Sequence, residues 1–560
     1  MKKHPSPLIA GTLILTVTGL ISRLLGFVYR IYLSRAIGAE ALGLYQMISP
    51  VSGICFALCC GPIQTAISRF SAQAGARCPQ SGARRVFLAG LILSEALAVS
   101  SALILFRCAG FCAEYLLGEP RVEYLLHFLA LSLPLSAAHA AINGYYYGKQ
   151  QTAVPAVSQL AEQVVRVASV WLLVRWLSTG QRTIDASVAA FGLVIGELAA
   201  LTVTFFSLRI TLYRENVACL KHCRSPQEVS CSQSTDMLSS NSSQRFRPRN
   251  IQSWSTNYTE MPDCESVFHT PKPLQKASAV RRLSLLPEMR RILAMALPLT
   301  ANRLVLGLLQ SAEAACIPGR LQAYGLSQSE AVSLYGVLTG MALPFIFFPS
   351  ALTNSVAVML LPSVAEAQSL QDHSRIRRAS DRSICFSLYL GILCTGVFTL
   401  CGHQLGTVFF ANETAGQYIT ILGWLCPFLY LSTTAASILN GMGRTGTTFG
   451  IHLTGLLIRL AFVLFLIPRW GMRACLLGML AGELADSGLC LLALRREIRM
   501  DISVFHLLFR PMAAAFVGTR LAQPFLAATE AGSSLMQIAG IGTGCCVLVL
   551  TYGILLTVTR

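Results

Sequence analysis

The chain has 560 residues, of which 54% are hydrophobic and only 12% charged. A soluble domain carries about 25% charged residues, so this composition excludes a soluble protein and excludes disorder over most of the chain. Lys and Arg number 44 against 26 Asp and Glu, a net charge of +18. The basic residues sit in short segments between apolar stretches, which points to membrane topology and not to nucleic acid.

A membrane helix needs about 20 apolar residues. Roughly fourteen such stretches follow one another at 8–28, 42–66, 86–108, 124–143, 153–177, 186–212, 290–315, 332–360, 384–408, 417–439, 448–468, 474–494, 503–525 and 536–558. The expected fold is an all-α integral membrane protein. Residues 1–213 form one six-helix lobe, 289–496 a second, and 497–560 two further helices. The first stretch runs on through Gly26 without a signal-peptide cleavage pattern. Many of the 19 cysteines, such as Cys59, Cys60, Cys545 and Cys546, lie in apolar stretches and read as small buried hydrophobes.

Charge sets the expected orientation. Lys2 and Lys3, then Arg69, Arg77, Arg84 and Arg85, Lys149, Arg375 to Arg382, Arg444, and Arg495 to Arg499 fall on one side. The alternate loops carry Glu40, Glu114, Glu119, Glu123, Glu413 and Glu530. Both termini are therefore expected in the cytoplasm. Arg30, Arg35, Arg469 and Arg473 break the pattern. Residues 214–288 are polar and aperiodic and read as a disordered basic cytoplasmic loop beside anionic lipid. Cys219, Cys223, Cys231, Cys264, His222 and His269 occur in it without a C-x₂-C pair, so no metal site is assigned.

The two sides of that loop repeat each other. G-x-x-x-G-E-L-A occurs at Gly192 to Ala199 and at Gly478 to Ala485. E-A-x-x-L-Y occurs at Glu40 to Tyr45 and at Glu330 to Tyr335. Asn143-Gly144 matches Asn440-Gly441, and Arg166-Val-Ala matches Arg459-Leu-Ala. Six spans per half give a parallel repeat, the arrangement of transporters with a midplane site between halves. The glycines serve close helix packing; the glutamate after each pair needs another reason.

Ten ionisable residues fall inside the spans: Arg23, Glu95, Glu162, Arg166, Glu197, Arg303, Glu313, Arg459, Glu483 and Asp486. Each costs roughly 2.5–3.5 kcal/mol at a helix centre, so they face one another or a wet cavity. Gly19, Arg23, Gly26 and Arg30 share one helical face. Arg303, Gly307 and Gln310 repeat the spacing in the seventh span, where Pro298 allows a bend. A guanidinium grips phosphate bidentately and stays charged, so Arg23 and Arg303 are candidate diphosphate ligands in a common central cavity. Glu162 lies one turn before Arg166, a structural ion pair. Arg459 has no acid in that position, which leaves it free to face the cavity. Glu197, Glu483 and Asp486 have two readings, partners of these arginines or a coupling-cation site. No Walker loop, H-E-x-x-H or G-x-S-x-G is present, so no catalytic residue and no cofactor is expected.

The stretch from Gly11 through Arg23 to Arg30, then Ala36 to Glu40, Gly43 to Gln46 and Pro62 to Arg69, resembles the stage V sporulation protein B group. That group lies in the polysaccharide-transport branch of the multidrug/oligosaccharidyl-lipid/polysaccharide exporter superfamily. Asn143-Gly and Asn440 to Arg444 extend the resemblance over nearly all spans, while loop 214–288 departs from it. The resemblance implies a V-shaped, fourteen-helix, alternating-access fold. It implies export of undecaprenyl-diphosphate-linked oligosaccharide, including peptidoglycan precursors in spore formation, with membrane lipids and cell-wall synthesis proteins as neighbours. Two alternatives stay open: a cation-coupled multidrug exporter of the same superfamily, and a non-transporting scaffold for wall synthesis.

Overall fold

The computed structural model describes residues 7–77, 81–179, 184–224, 285–498, 508–528 and 534–558. The chain divides into a large unit, Met1–Ile210 with Leu285–Arg560, and a second unit, Thr211–Ser284. Of the second unit only the end of one helix is described. The cysteines and histidines of loop 214–288 singled out above lie outside the described side chains.

Among the described residues there is no strand. The helical segments among the described residues are numbered α1 to α14 in chain order. In the first half these are α1 (Pro7–Met47), α2 (Ser49–Cys59 and Gly61–Arg77), α3 (Ser81–Arg107), α4 (Glu123–Gly148), α5 (Ala153–Thr179) and α6 (Ser187–Arg224). The second half has α7 (Leu286–Ala323), then α8 (Gln328–Gly336, continuing through Leu343–Phe347 to Ser350–Ser369) and α9 (His373–Phe410). It continues with α10 (Glu413–Leu422 and Cys426–Gly441), α11 (Thr445–Ala461, then Ile467–Trp470) and α12 (Met472–Ile498). The last two are α13 (Arg510–Ala527) and α14 (Ser534–Val558).

Among the described residues, twelve stretches are long and apolar enough to cross a membrane. The first, Thr16–Ala74, holds two of the expected spans. The thirteenth expected span, α13, is not among the twelve, since it carries Arg510, Arg520 and Gln523 with few strongly apolar residues to offset them. Large apolar side chains such as Leu103, Ile104, Phe106, Phe206 and Leu550 are exposed, as lipid-facing surface requires. One apolar core runs through both lobes, from Leu42 and Met47 of α1 to Leu338 and Ile346 of α8.

The first helix is longer than its apolar stretch suggests. It continues to Met47 through a kink at Gly38, where φ is 80° and ψ 174°. Only glycine tolerates that backbone at little cost. Arg30 and Arg35, counted as loop residues from charge alone, therefore sit on a helix. Arg35 donates to the carbonyls of Val408 and Phe409 at the end of α9, closing open acceptors of that helix.

We call the side where α1 begins and α14 ends the near face, and the other the far face. On the far face the two copies of E-A-x-x-L-Y lie against each other. A methyl on Gly43 would land on the Val332 carbonyl oxygen, and one on Gly336 would land on that of Ala39. Polar bonds lock the same seam. Arg121 joins Glu40 at 2.7 Å and Glu119 at 2.8 Å. Gln328, from the other lobe, donates to Glu119 Oε2 at 2.8 Å. Glu119 is 1% exposed. Burial disfavours its charge, but bonds from Arg121 and Gln328 outweigh that and hold its carboxyl below the usual range.

Candidate functional site

Arg23 and Arg30 project from α1 into a recess of about 470 Å³ against α5 and α8. Gln159 and Gln163 of α5 and Ser350 and Asn354 of α8 complete its polar wall. Phe27 closes one side, edge-on to Phe345 at 4.6 Å. A second recess of about 240 Å³ shares Gly26, Arg30 and Gln163, and reaches Tyr45, Gln46, Ser52 and Arg166. Three guanidiniums thus line two adjoining spaces, the first at the α1–α8 seam and the second within the first lobe among α1, α2, α5 and α6. The exposed apolar residues Val17, Leu20, Ile21, Leu24 and Val28 flank Arg23, which places it inside the lipid-facing band. Among the described residues no carboxylate pairs with Arg23 or Arg30, since every ion pair of the first lobe uses another cation.

Arg303 lies on the other seam. Its Nη1 occupies the space that a side chain on Gly61 of α2 would fill, beside Phe56. One turn on, Gly307 faces Ile54. Arg23 and Arg303 therefore do not line one recess in this conformation. They hold corresponding places on the α1–α8 and α7–α2 seams, as a two-fold relation between lobes would require. Arg303 is exposed and, among the described residues, has no carboxylate partner.

Arg166 donates to Glu162 on the same helix. Arg459 differs from expectation: it is not free. Its Nε and Nη2 donate to Glu313 Oε1 of α7 at 3.0 and 2.8 Å. Spacing along one helix could not show this, because the partner is 146 residues away. Glu313 is 5% exposed, so removing it strands a buried charge. Glu313→Leu is expected to destabilise the protein by about 3–5 kcal/mol, read as a lower unfolding midpoint in detergent. Adding Arg459→Met should recover most of that loss.

The repeated glycines receive these arginines. A side chain on Gly196 would press on Arg166 Nε at 3.1 Å, and one on Gly482 on Arg459 Cγ at 2.5 Å. The glutamate that follows turns each time to the fourth helix of its own lobe. Glu197 Oε2 lies 3.6 Å from His139 Nδ1, and Glu483 Oε2 accepts from Ser432 at 3.3 Å. Asp486 faces His452 Nδ1 at 3.0 Å and fills the space left by Gly455. None of these three acids pairs with an arginine in this conformation. Among the described residues no group of three His, Cys, Asp or Glu could hold a metal ion.

The profile of the family described as polysaccharide biosynthesis protein matches residues 8–240. Stage V sporulation protein B of Bacillus subtilis (strain 168) is 23% identical over 474 residues, covering 84% of this chain and 80% of that protein. The chain is a relative of stage V sporulation protein B. The lipid II flippase MurJ of the same organism is 27% identical over 211 residues, 36% of this chain and 39% of its own. A solved structure of lipid II flippase MurJ in an inward closed conformation superposes with a TM-score of 0.62. It covers 97% of this chain and 98% of that one at 10% identity, which establishes the shared fold. The resemblance drawn from the N-terminal motifs stands, and with it an all-α, multi-pass membrane protein of transporter fold. The flippases among these relatives and neighbours are transporters, not enzymes.

Proposed function

We propose that this protein flips the head group of a polyprenyl-diphosphate-linked oligosaccharide across a bacterial plasma membrane by alternating access. The observation that carries the reading is a pair of unpaired guanidiniums, Arg23 and Arg30, in a polar recess at the seam between lobes. An intramembrane charge without a counter-charge is costly, and a diphosphate supplies the missing partner. Gln159, Gln163 and Asn354 offer amides to sugar hydroxyls, while the prenyl tail stays in lipid. Arg303 offers a second anion contact on the opposite seam. Arg459, held by Glu313, is assigned to joining α11 and α7.

Closure of the far face is the other half of the cycle. Substrate binding favours parting of the far seam, and the head group leaves there. Moving two negative charges outward through about 100 mV releases roughly 4.6 kcal/mol, so the membrane potential favours the step. A cation-coupled multidrug exporter is the weaker reading, because the unpaired charges of the α1 recess are positive. The deciding experiment uses purified protein in liposomes with a panel of prenyl-diphosphate sugars. Flipping of at least one, and none of the matching neutral prenyl alcohols, is the expected result; no flipping of any would favour a scaffold.

The near face is placed in the cytoplasm, together with loop 214–288. A membrane-impermeant thiol reagent added to intact cells should modify Cys108, exposed at the far-face end of α3. It should spare Cys231 and Cys264. The reverse pattern would invert the topology.

A further inference from the structure

Several arginines break the charge rule on the far face, Arg121 of the seam among them. Arg30 lines the recess between lobes, and Arg35 closes the end of α9. Arg469 and Arg473 lie on the same face. They flank the turn between α11 and α12 and open onto a separate recess of about 1120 Å³. That recess is walled wholly by the second lobe, by Tyr324 after α7, Thr414 and Gln417 of α10, and Trp470. Both arginines are exposed, and among the described residues neither belongs to an ion pair.

The turn between them is built. Gly471 has φ 59° and ψ −144°, a backbone that only glycine adopts without strain. Its missing side chain also admits the Tyr324 ring, which a methyl there would meet at 2.9 Å. The turn thereby seats Tyr324 at the bend whose two sides carry Arg469 and Arg473. Trp470 is 57% exposed and Tyr324 49% exposed, so two aromatic faces stay open beside two cations. Small-molecule sites commonly enclose about 300–1,000 Å³, and this recess is of that order.

We propose that the recess binds an anionic saccharide on the far face of the membrane. Its phosphate or carboxylate is taken by the guanidinium forks of Arg469 and Arg473. Its ring lies against Trp470 or Tyr324, with Gln417 and Thr414 bonding to hydroxyls. The site is distinct from the recess of Arg23 and persists when the lobes part, because one lobe alone forms it. The same chemistry could come from a free or a lipid-linked sugar phosphate. Arginines beside interfacial aromatics could instead serve phospholipid headgroups, and the experiment separates that source.

The test uses the full chain carrying Arg23→Gln, so that the recess between lobes does not contribute, in nanodiscs of neutral lipid. The probes are N-acetylglucosamine 1-phosphate, inorganic phosphate and N-acetylglucosamine, with binding read by saturation-transfer NMR. The sugar phosphate is expected to bind at least tenfold more tightly than either fragment. Arg469→Gln with Arg473→Gln should cost tenfold or more without moving the unfolding midpoint, since both side chains are exposed. Trp470→Leu should weaken the sugar phosphate and leave inorganic phosphate unchanged. Equal binding of charged and neutral sugar would overturn the proposal, as would an unaffected double variant. So would full displacement of the sugar phosphate when phosphatidylglycerol is added to the nanodisc, which would make this a lipid headgroup site.

Discussion

Arg23→Ala is expected to reduce flipping roughly 10- to 150-fold while the protein still inserts and unfolds at the wild-type temperature. The magnitude follows from a hydrogen-bonded charge contact of about 1.5–3 kcal/mol, at 1.4 kcal/mol per tenfold. The spared stability follows from the site. No carboxylate is left behind when Arg23 goes, because none pairs with it. Removing an intramembrane charge also relieves an insertion cost of roughly 2.5–3.5 kcal/mol. Arg23→Lys should recover only part of the rate, because an ammonium lacks the fork. Arg30, in the same recess, should behave alike, and the double variant should lose more than either. Flipping and thermal unfolding are measured on one preparation of each variant. Lost stability with normal flipping by the folded fraction would make Arg23 a structural residue and sink the phosphate reading.

The contrast between Arg166 and Arg459 shows what the sequence could and could not say. Arg166 has its acid one turn back, and an i, i+4 pair is visible in any helical sequence. Arg459 occupies the matching place in the second lobe, but Gly455 stands where Glu162 does. Its carboxylate comes from α7, and a contact across 146 residues leaves no periodic trace. The space over Gly455 is filled by Asp486 of α12, another contact between helices. In the same way, apolar length located the spans because each is a local property. It failed at the end of α1, where helix continues beyond the apolar run to pack against the other lobe. The motif E-A-x-x-L-Y was legible as a repeat. That its two copies touch was not, since similarity of sequence does not report proximity. Arg30 carried a usable signal, its shared face with Arg23, that charge counting placed in a loop.

Touching copies make the far seam sensitive to a single methyl group, and Gly336→Ala is expected to open it. The added carbon would fall on the Ala39 carbonyl oxygen and 2.6 Å from the Gly43 nitrogen. Both are backbone atoms, so neither helix can relieve the clash by turning a side chain. Overpacking of this kind costs about 1–3 kcal/mol. On the proposed cycle the far seam closes in only one half, so the cost falls on that state alone. A differential of this size shifts the equilibrium roughly 5- to 150-fold toward far-face-open molecules. Flipping should fall by a similar factor, because each turnover must close the seam again. Accessibility gives the direct readout. Ala331 is buried at the seam, and Ala331→Cys should resist an impermeant thiol reagent in the parent and react in the Gly336→Ala background. Gly319→Ala is the control, since nothing lies within 4 Å of its would-be methyl. Gly43→Ala strikes the same crossing from the other lobe, at the Val332 carbonyl, and should reproduce the effect. A seam that stays shielded in both variants, with flipping unchanged, would mean that the α1–α8 contact is not the gate.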